Sequence, residues 1–92
     1  MNSTDITPRN DKGERHGYWE LYYSNGQLMY KGNYVDGKQH GYWEYYHSNG
    51  QLWAKGNYVN GNEHGYWEDY YRNGQLKKKH IIYEFKYNTY NF

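Results

Sequence analysis

A chain of 92 residues holds one domain at most, and 36% hydrophobic residues with a mean hydropathy of −1.45 leave little aliphatic material for a conventional core. Its 15 Tyr and 4 Trp nevertheless lie far from a disordered composition, and rings that bury large areas while leaving one edge wet suit a thin structure. A net charge of +1 sets up no field favouring nucleic acid or a membrane, and the absence of Cys excludes a disulfide framework, a thiolate metal site and a Cys nucleophile.

Residues 1–12 read as a flexible N-terminal tail: polar, carrying the single Pro, with no apolar run resembling a signal peptide or a spanning helix. A soluble, cytoplasmic protein is the expectation. From residue 16 the chain repeats itself. HGYWELYYSNGQLMYKGNYVDGKQ at 16–39 is followed by HGYWEYYHSNGQLWAKGNYVNGNE at 40–63, and HGYWEDYYRNGQLKKK restarts at 64 before diverging. Each unit of 24 residues holds two runs of strand formers separated by Asn-Gly or Asp-Gly, at Asn25-Gly26, Asp36-Gly37, Asn49-Gly50, Asn60-Gly61 and Asn73-Gly74. These pairs supply the positive φ of two-residue type I′ turns. The prediction is all-β: a single-layer antiparallel meander of three hairpin repeats, about six strands, over a repeat domain at 13–87. Ile81, Tyr83, Phe85 and Tyr87 alternate with Ile82, Glu84 and Lys86 as a long capping strand, and 88–92 read as a C-terminal tail.

A two-residue turn at Asn25-Gly26 sets Glu20 opposite Lys31 and Trp19 opposite Gly32. The same register gives Glu44 with Lys55, Trp43 with Gly56, Glu68 with Lys79 and Trp67 with His80. Crossed charges are worth roughly 0.2–1 kcal/mol per pair, and a ring over a facing glycine fills the gap beside it. One face then carries Tyr18, Glu20, Tyr22, Lys31, Tyr42, Glu44, Tyr46 and Lys55, with Trp53 added where Met29 stands in the first copy. The other is more apolar, with Trp19, Leu21, Leu28, Tyr30, Trp43, Tyr45, Tyr58 and Trp67. No helix or second sheet remains in the sequence to cover it. Either it is an interaction surface, through which a homodimer or another protein docks, or the sheet's own aromatics close over it.

The repeated G-Y-W-E-x-Y-x-x-N-G-Q-L-x-x-K-G-N-Y-x-x-G-x-x-H-G resembles the MORN repeat, and more narrowly a bacterial variant labelled antitoxin-like. The matching positions are Gly17, Trp19, Tyr22, Asn25, Gly26, Leu28, Gly32, Tyr34 and Gly37 with their equivalents 24 and 48 residues on, while the third copy lacks the second glycine and the N-Y-V tail. The resemblance implies a groove-like single sheet with roles in protein scaffolding, dimerisation or binding of anionic phospholipid. The antitoxin label would imply neutralising a protein toxin.

Chemistry is sparse. His16, His40 and His64 repeat in phase, but two strands separate equivalent positions by about 10 Å, and a shared Zn holds its ligands at about 2 Å. No metal or cofactor is expected. Glu20, Glu44 and Glu68 form a row at the same spacing, but a Lys opposite each lowers its pKa, the wrong direction for a general acid. Ser24 and Ser48 sit in turns with no plausible His base, since the matching position in copy three is Arg72, so no enzyme is read. The reading is a non-enzymatic protein-binding module, an inhibitor or antitoxin-like protein, with Trp19, Tyr22, Tyr42, Trp43, Tyr46, Trp53, Trp67 and Tyr70 as anchors. Leu21, Tyr45 and Asp69 differ at one repeat position and are the candidates for tuning specificity. The alternative is an anionic ligand, nucleic acid or phospholipid, held by Arg72, Lys77, Lys78 and Lys79, which with Lys86 and Glu84 give the third repeat a local charge of +4.

Overall fold

Two kinds of turn alternate along the chain, and between them they build the sheet. The computed structural model describes residues 4–83. At Asp36-Gly37 (φ 48° and 88°) and Asn60-Gly61 (φ 51° and 85°) both residues are left-handed, and Val35 pairs directly with Lys38, and Val59 with Asn62, across the expected type I′ turns. The Asn25-Gly26 turn differs. Only Gly26 has positive φ (90°), Gly26 N–H donates to Tyr23 O at 2.9 Å, and Tyr23 N–H donates to Gln27 O at 2.8 Å. Asn25 Oδ1 accepts from Gln27 N–H at 2.9 Å, closing a three-residue turn that ends on a left-handed glycine. The same turn recurs before Gln51 and Gln75.

Six strands result: β1 Gly17–Tyr22, β2 Leu28–Val35, β3 Lys38–Tyr46, β4 Leu52–Val59, β5 Asn62–Tyr70 and β6 Leu76–Ile82. They form one antiparallel sheet in sequence order, 13 Å through its thinnest dimension, with no helix among the described residues. This is the single-layer meander predicted. Of the long final strand, β6 ends at Ile82, and Glu84 to Tyr87 lie outside the described residues.

The in-register pairs Glu20↔Lys31 and Trp19↔Gly32 are present, but the expected two-residue turn does not produce them. The three-residue turn shifts the ladder by one residue, and a bulge at Met29, between Tyr22↔Leu28 and Leu21↔Tyr30, shifts it back. Trp53 and Lys77 are the bulge residues of the next two hairpins. A larger irregularity lies between repeats: Asn33 pairs with His40 and Lys31 with Glu44, so Gly41, Tyr42 and Trp43 oppose Gly32 alone.

That irregularity makes the core. It swings Trp43 over Gly32, where a Cβ would lie 2.2 Å from the indole, and it swings Trp67 over Gly56 with the same separation. Each indole N–H then donates to the preceding strand, Trp43 to Asn33 O and Trp67 to Asn57 O, both at 3.1 Å. Trp19, Trp43 and Trp67 are 4%, 1% and 3% exposed. Tyr34 and Tyr58 stand edge-on between successive indoles, with centroids 5.0–5.9 Å apart. At 150–250 Å² per ring, burial contributes about 4–6 kcal/mol for each Trp. The apolar face is covered by its own aromatics.

The segment expected as a free tail does not behave as one from residue 5 onward. Ile6 bridges Glu20 and Arg9 bridges Arg15, so the segment lies along β1 as β2 lies along β3. Pro8 O accepts from Trp19 Nε1–H at 2.8 Å, the role of Asn33 O in the next repeat. Arg9 and Arg15 place guanidiniums 5.5 and 5.4 Å from the Trp19 ring centre. The first Trp has no preceding repeat, and this segment substitutes for one. At the opposite end His80 occupies the position of Gly32 and Gly56, and β6 is the last strand among the described residues.

Candidate partner-binding surface

The two faces of the sheet differ in how their side chains are committed. On the first, each Glu accepts from one or two tyrosines two residues away on its own strand. Tyr18 and Tyr22 donate to Glu20 at 2.6 and 2.5 Å, Tyr42 donates to Glu44 at 2.8 Å, and Tyr46 and Tyr70 donate to Glu44 and Glu68. The charge ladder is offset from the prediction: ion pairs join Lys31 to Glu44 at 3.4 Å, Lys55 to Glu68 at 3.6 Å and Lys79 to Glu68 at 4.0 Å, and only the last is a predicted pair. The between-repeat irregularity causes this by bringing Lys31 opposite Glu44 as well as Glu20.

Hydrogen bonds from Tyr18 and Tyr22 hold Glu20 below the usual carboxylate range. Burial pushes Glu44 up, but hydrogen bonds from Tyr46 and Tyr42 and the charge of Lys31 outweigh it, and its pKa is also lowered. Glu68 is lowered by its hydrogen bond from Tyr70 and by Lys55 and Lys79. Burial and the bond to Glu44 push Tyr46 up to about 12. These carboxylates stay ionised and their phenols stay neutral, which suits a structural lattice rather than proton transfer.

Among the residues singled out in the sequence, Trp19, Trp43 and Trp67 are buried and are corrected from partner anchors to core. Tyr22, Tyr46 and Tyr70 are half-buried with their hydroxyls committed to Glu. Tyr42 is 48% exposed and belongs to a row with Tyr18 and Tyr66, at 40% and 51%. Trp53 is 50% exposed, but on the Trp face rather than the charge-ladder face: it stacks on His47 (5.5 Å) and meets Tyr45 edge-on (6.4 Å). Its bulge position explains the change of face, because an extra residue breaks the alternation that the sequence pattern assumes.

The basic run does not converge. Lys77 lies 5.8 Å from the Tyr71 ring, Lys78 reaches Asp69 on the Trp face at 4.0 Å, and Lys79 pairs with Glu68 on the opposite face. Arg72 is exposed, and its backbone carbonyl accepts from Asn49 Nδ2–H at 3.0 Å. The repeated histidines do not converge either: His16 Nδ1 accepts from Asp36 N–H at 3.1 Å, while His40 and His64 pair with Asn33 and Asn57.

Beside Trp53 the Trp face opens into a groove of about 400 Å³. Tyr45, Tyr58 and Trp67 line it with Trp53 and Ala54, and Glu63, Asp69, Lys78 and His80 supply its polar groups. Ala54 accounts for the opening. In the preceding repeat its equivalent is Tyr30, whose ring packs 5.5 Å from Trp43, whereas Ala54 leaves that space beside Trp67 empty. The hydroxyls of Tyr45 and Tyr58 pair at 2.7 Å, and Gln39 Nε2–H donates to Tyr45 at 2.7 Å. Sequence reasoning missed Ala54, Glu63 and His80. The available signal was their departure from the repeat, where Tyr30, Gln39 and Gly56 stand one unit earlier.

The geometry is thus a repeat array whose Trp–Gly contacts fix each unit on its neighbour, with a groove where the repeat is interrupted. No helix among the described residues is long and apolar enough to cross a membrane. No curated protein and no solved structure matches the chain. The family model described as a MORN repeat variant matches three consecutive segments, 15–36, 39–60 and 63–88, in phase with the hairpins. The chain belongs to the MORN repeat variant family.

Proposed function

We propose that this chain is a non-catalytic protein-binding module that grips a protein partner at Trp53 and the adjoining groove, and that it serves as an inhibitor- or antitoxin-like protein by covering its partner's working surface. The carrying observation is Trp53: the other three Trp are buried, while this one stands half exposed beside an open groove on the aromatic face. Exposed aromatic anchors next to a concavity are the usual energetic centres of protein interfaces. A repeat array, each unit locked to the next, offers a rigid platform that loses little entropy on binding. The scattered lysines give less support to a phosphate-rich ligand, since Lys78 and Lys79 already hold carboxylates on opposite faces.

The test is affinity capture with the tagged full chain beside its Trp53→Ser variant, washed at low and then high salt. A single protein retained in stoichiometric amount through high salt, and lost with Trp53→Ser, is the expected result. Retention of only salt-labile nucleic acid or phospholipid, insensitive to Trp53, refutes the proposal.

A further inference from the structure

The groove beside Trp53 combines features that favour one kind of guest. Its aromatic lining comes from Tyr45, Trp53, Tyr58 and Trp67, and two carboxylates, Glu63 and Asp69, belong to the same lining. Aromatic faces attract cations through their quadrupole, most strongly where water is displaced. Asp69 is 27% exposed, so its charge is only partly screened. His80 adds a buried Nδ1 with no hydrogen-bond partner.

The molecule already contains a template for such a guest. Arg15 lays its guanidinium 5.4 Å from both the Trp19 and Tyr34 ring centres. Position 15 is occupied by Gln39 one repeat on and by Glu63 two repeats on, while the underlying Trp becomes Trp43 and then Trp67. The third repeat thus keeps the Trp and replaces the covering cation with an anion. Two further departures fall at the same place: Tyr30 becomes Ala54, which opens the space, and Tyr45 becomes Asp69, which adds charge.

We propose that the groove is the receptor for an arginine side chain of the protein partner, its guanidinium lying against the aromatic lining between Glu63 and Asp69. This rests on the protein-binding reading above and names the chemistry of the contact. Arginine fits better than lysine because a planar, weakly hydrated guanidinium stacks on rings and offers a fork of donors to two carboxylates. Lys78 is the resident competitor. Its ammonium reaches Asp69 only at 4.0 Å, and its side chain is 59% exposed, free to swing aside.

The test is titration of the full chain with Nα-acetyl-arginine amide, followed by the indole N–H resonances of all four Trp. Trp53 and Trp67 should shift with a dissociation constant on the order of 10 mM, while Trp19 and Trp43 stay in place. The neutral isostere Nα-acetyl-citrulline amide should bind at least about tenfold more weakly. Asp69→Asn should lose the response, and so should Ala54→Tyr, which refills the groove with the residue that the preceding repeat carries there. Lys78→Gln should tighten binding about threefold by removing the competitor.

Citrulline or lysine amide binding as tightly as arginine, shifts shared equally by all four indoles, no shift at all, or weakening by Lys78→Gln would each overturn the assignment. The two proposals fail separately. Partner capture that depends on Trp53 without an arginine response removes only the arginine contact. An arginine response with capture indifferent to Trp53 removes the protein-binding reading and leaves the groove's preference standing.

Discussion

Replacing Gly32 with Ala puts the packing account to its hardest test, because the change is one methyl group in the middle of a strand. A Cβ there would lie 2.2 Å from Trp43 Cδ2 and Cε2, whereas ordinary contact begins near 3.4 Å, so the indole must retreat by roughly 1.2 Å. It has nowhere to go: Trp43 is 1% exposed, and the rings of Tyr34, Tyr30, Tyr45 and Tyr58 surround it at centroid distances of 5.0–5.9 Å. Overpacking of this kind costs about 1–3 kcal/mol. Displacing the ring also breaks the bond from Nε1 to Asn33 O, another ~1 kcal/mol. A loss of about 3 kcal/mol is a large share of the ~5–15 kcal/mol that holds a domain folded, and at ~4–8 °C per kcal/mol it lowers Tm by about 12–24 °C.

Gly26→Ala is the control. Nothing lies within 4 Å of its Cβ, and only the left-handed φ of 90° opposes it, at about 1–2 kcal/mol. Urea and thermal unfolding followed by Trp fluorescence rank the two, and a cycle with Trp43→Leu isolates the clash as a coupling above ~1 kcal/mol. If Gly32→Ala costs no more than Gly26→Ala, or if removing the indole does not relieve it, the Trp-on-Gly account is wrong.

Trp53→Ser, by contrast, should cost about 1 kcal/mol or less, since the ring, stacked on His47 and edge-on to Tyr45, is already 50% exposed, and thermal unfolding should barely move. Glu44 should govern acid stability. Its folded pKa lies below the ordinary 4.5, so its contribution is full above that value and is lost as pH falls below it, and Glu44→Gln should flatten this slope in urea melts taken across the acid range. On the alkaline side the sign reverses. Burial pushes Tyr30 and Tyr46 up to about 12 from 10.0, so stability is full below pH 10.0 and falls as pH climbs towards 12, read as phenolate absorbance rising together with unfolding. Deleting residues 1–10 should uncover Trp19, red-shift its fluorescence and cost ~2–3 kcal/mol through the lost Pro8 O bond and ring cover.

The repeat, the strand count and the hairpin register were legible because Asn-Gly and Asp-Gly occur in phase with alternating strand formers. The register at Glu20↔Lys31 emerged although its premise failed. A three-residue turn and a bulge at Met29 are each invisible to a count from Asn25-Gly26, and their one-residue shifts cancel. The bulge left its mark elsewhere by placing Trp53 on the face opposite to the one that simple alternation assigns. The burial of the Trp row was illegible for a related reason. Within a hairpin Gly32 faces Trp19, but the ring that lies on it is Trp43 from the next repeat, and only the irregularity between β2 and β3 brings it there. The capping role of residues 5–10 lacked any repeat signature, since what Trp19 needs is a backbone carbonyl and a ring cover, which many sequences supply.

The repeat is a set of internal controls, and that decides how its exceptions are weighed. A residue that recurs every 24 positions is explained by the lattice: Trp by the facing glycine, Glu by flanking tyrosines, Asn by the turn it closes. Such residues answer to the fold, so their chemistry says little about a ligand. An exception lacks that explanation. Some exceptions border the described array, as Pro8 and His80 do at the positions held by Gly32 and Gly56. Trp53, Ala54, Glu63 and Asp69 lie inside the array, and each departs from the residue 24 positions earlier. They come from β4 and β5 yet line one groove. On the proposal above, one external contact rather than the fold accounts for all four, and restoring the first-repeat residue at any one of them should weaken that contact while leaving the sheet intact.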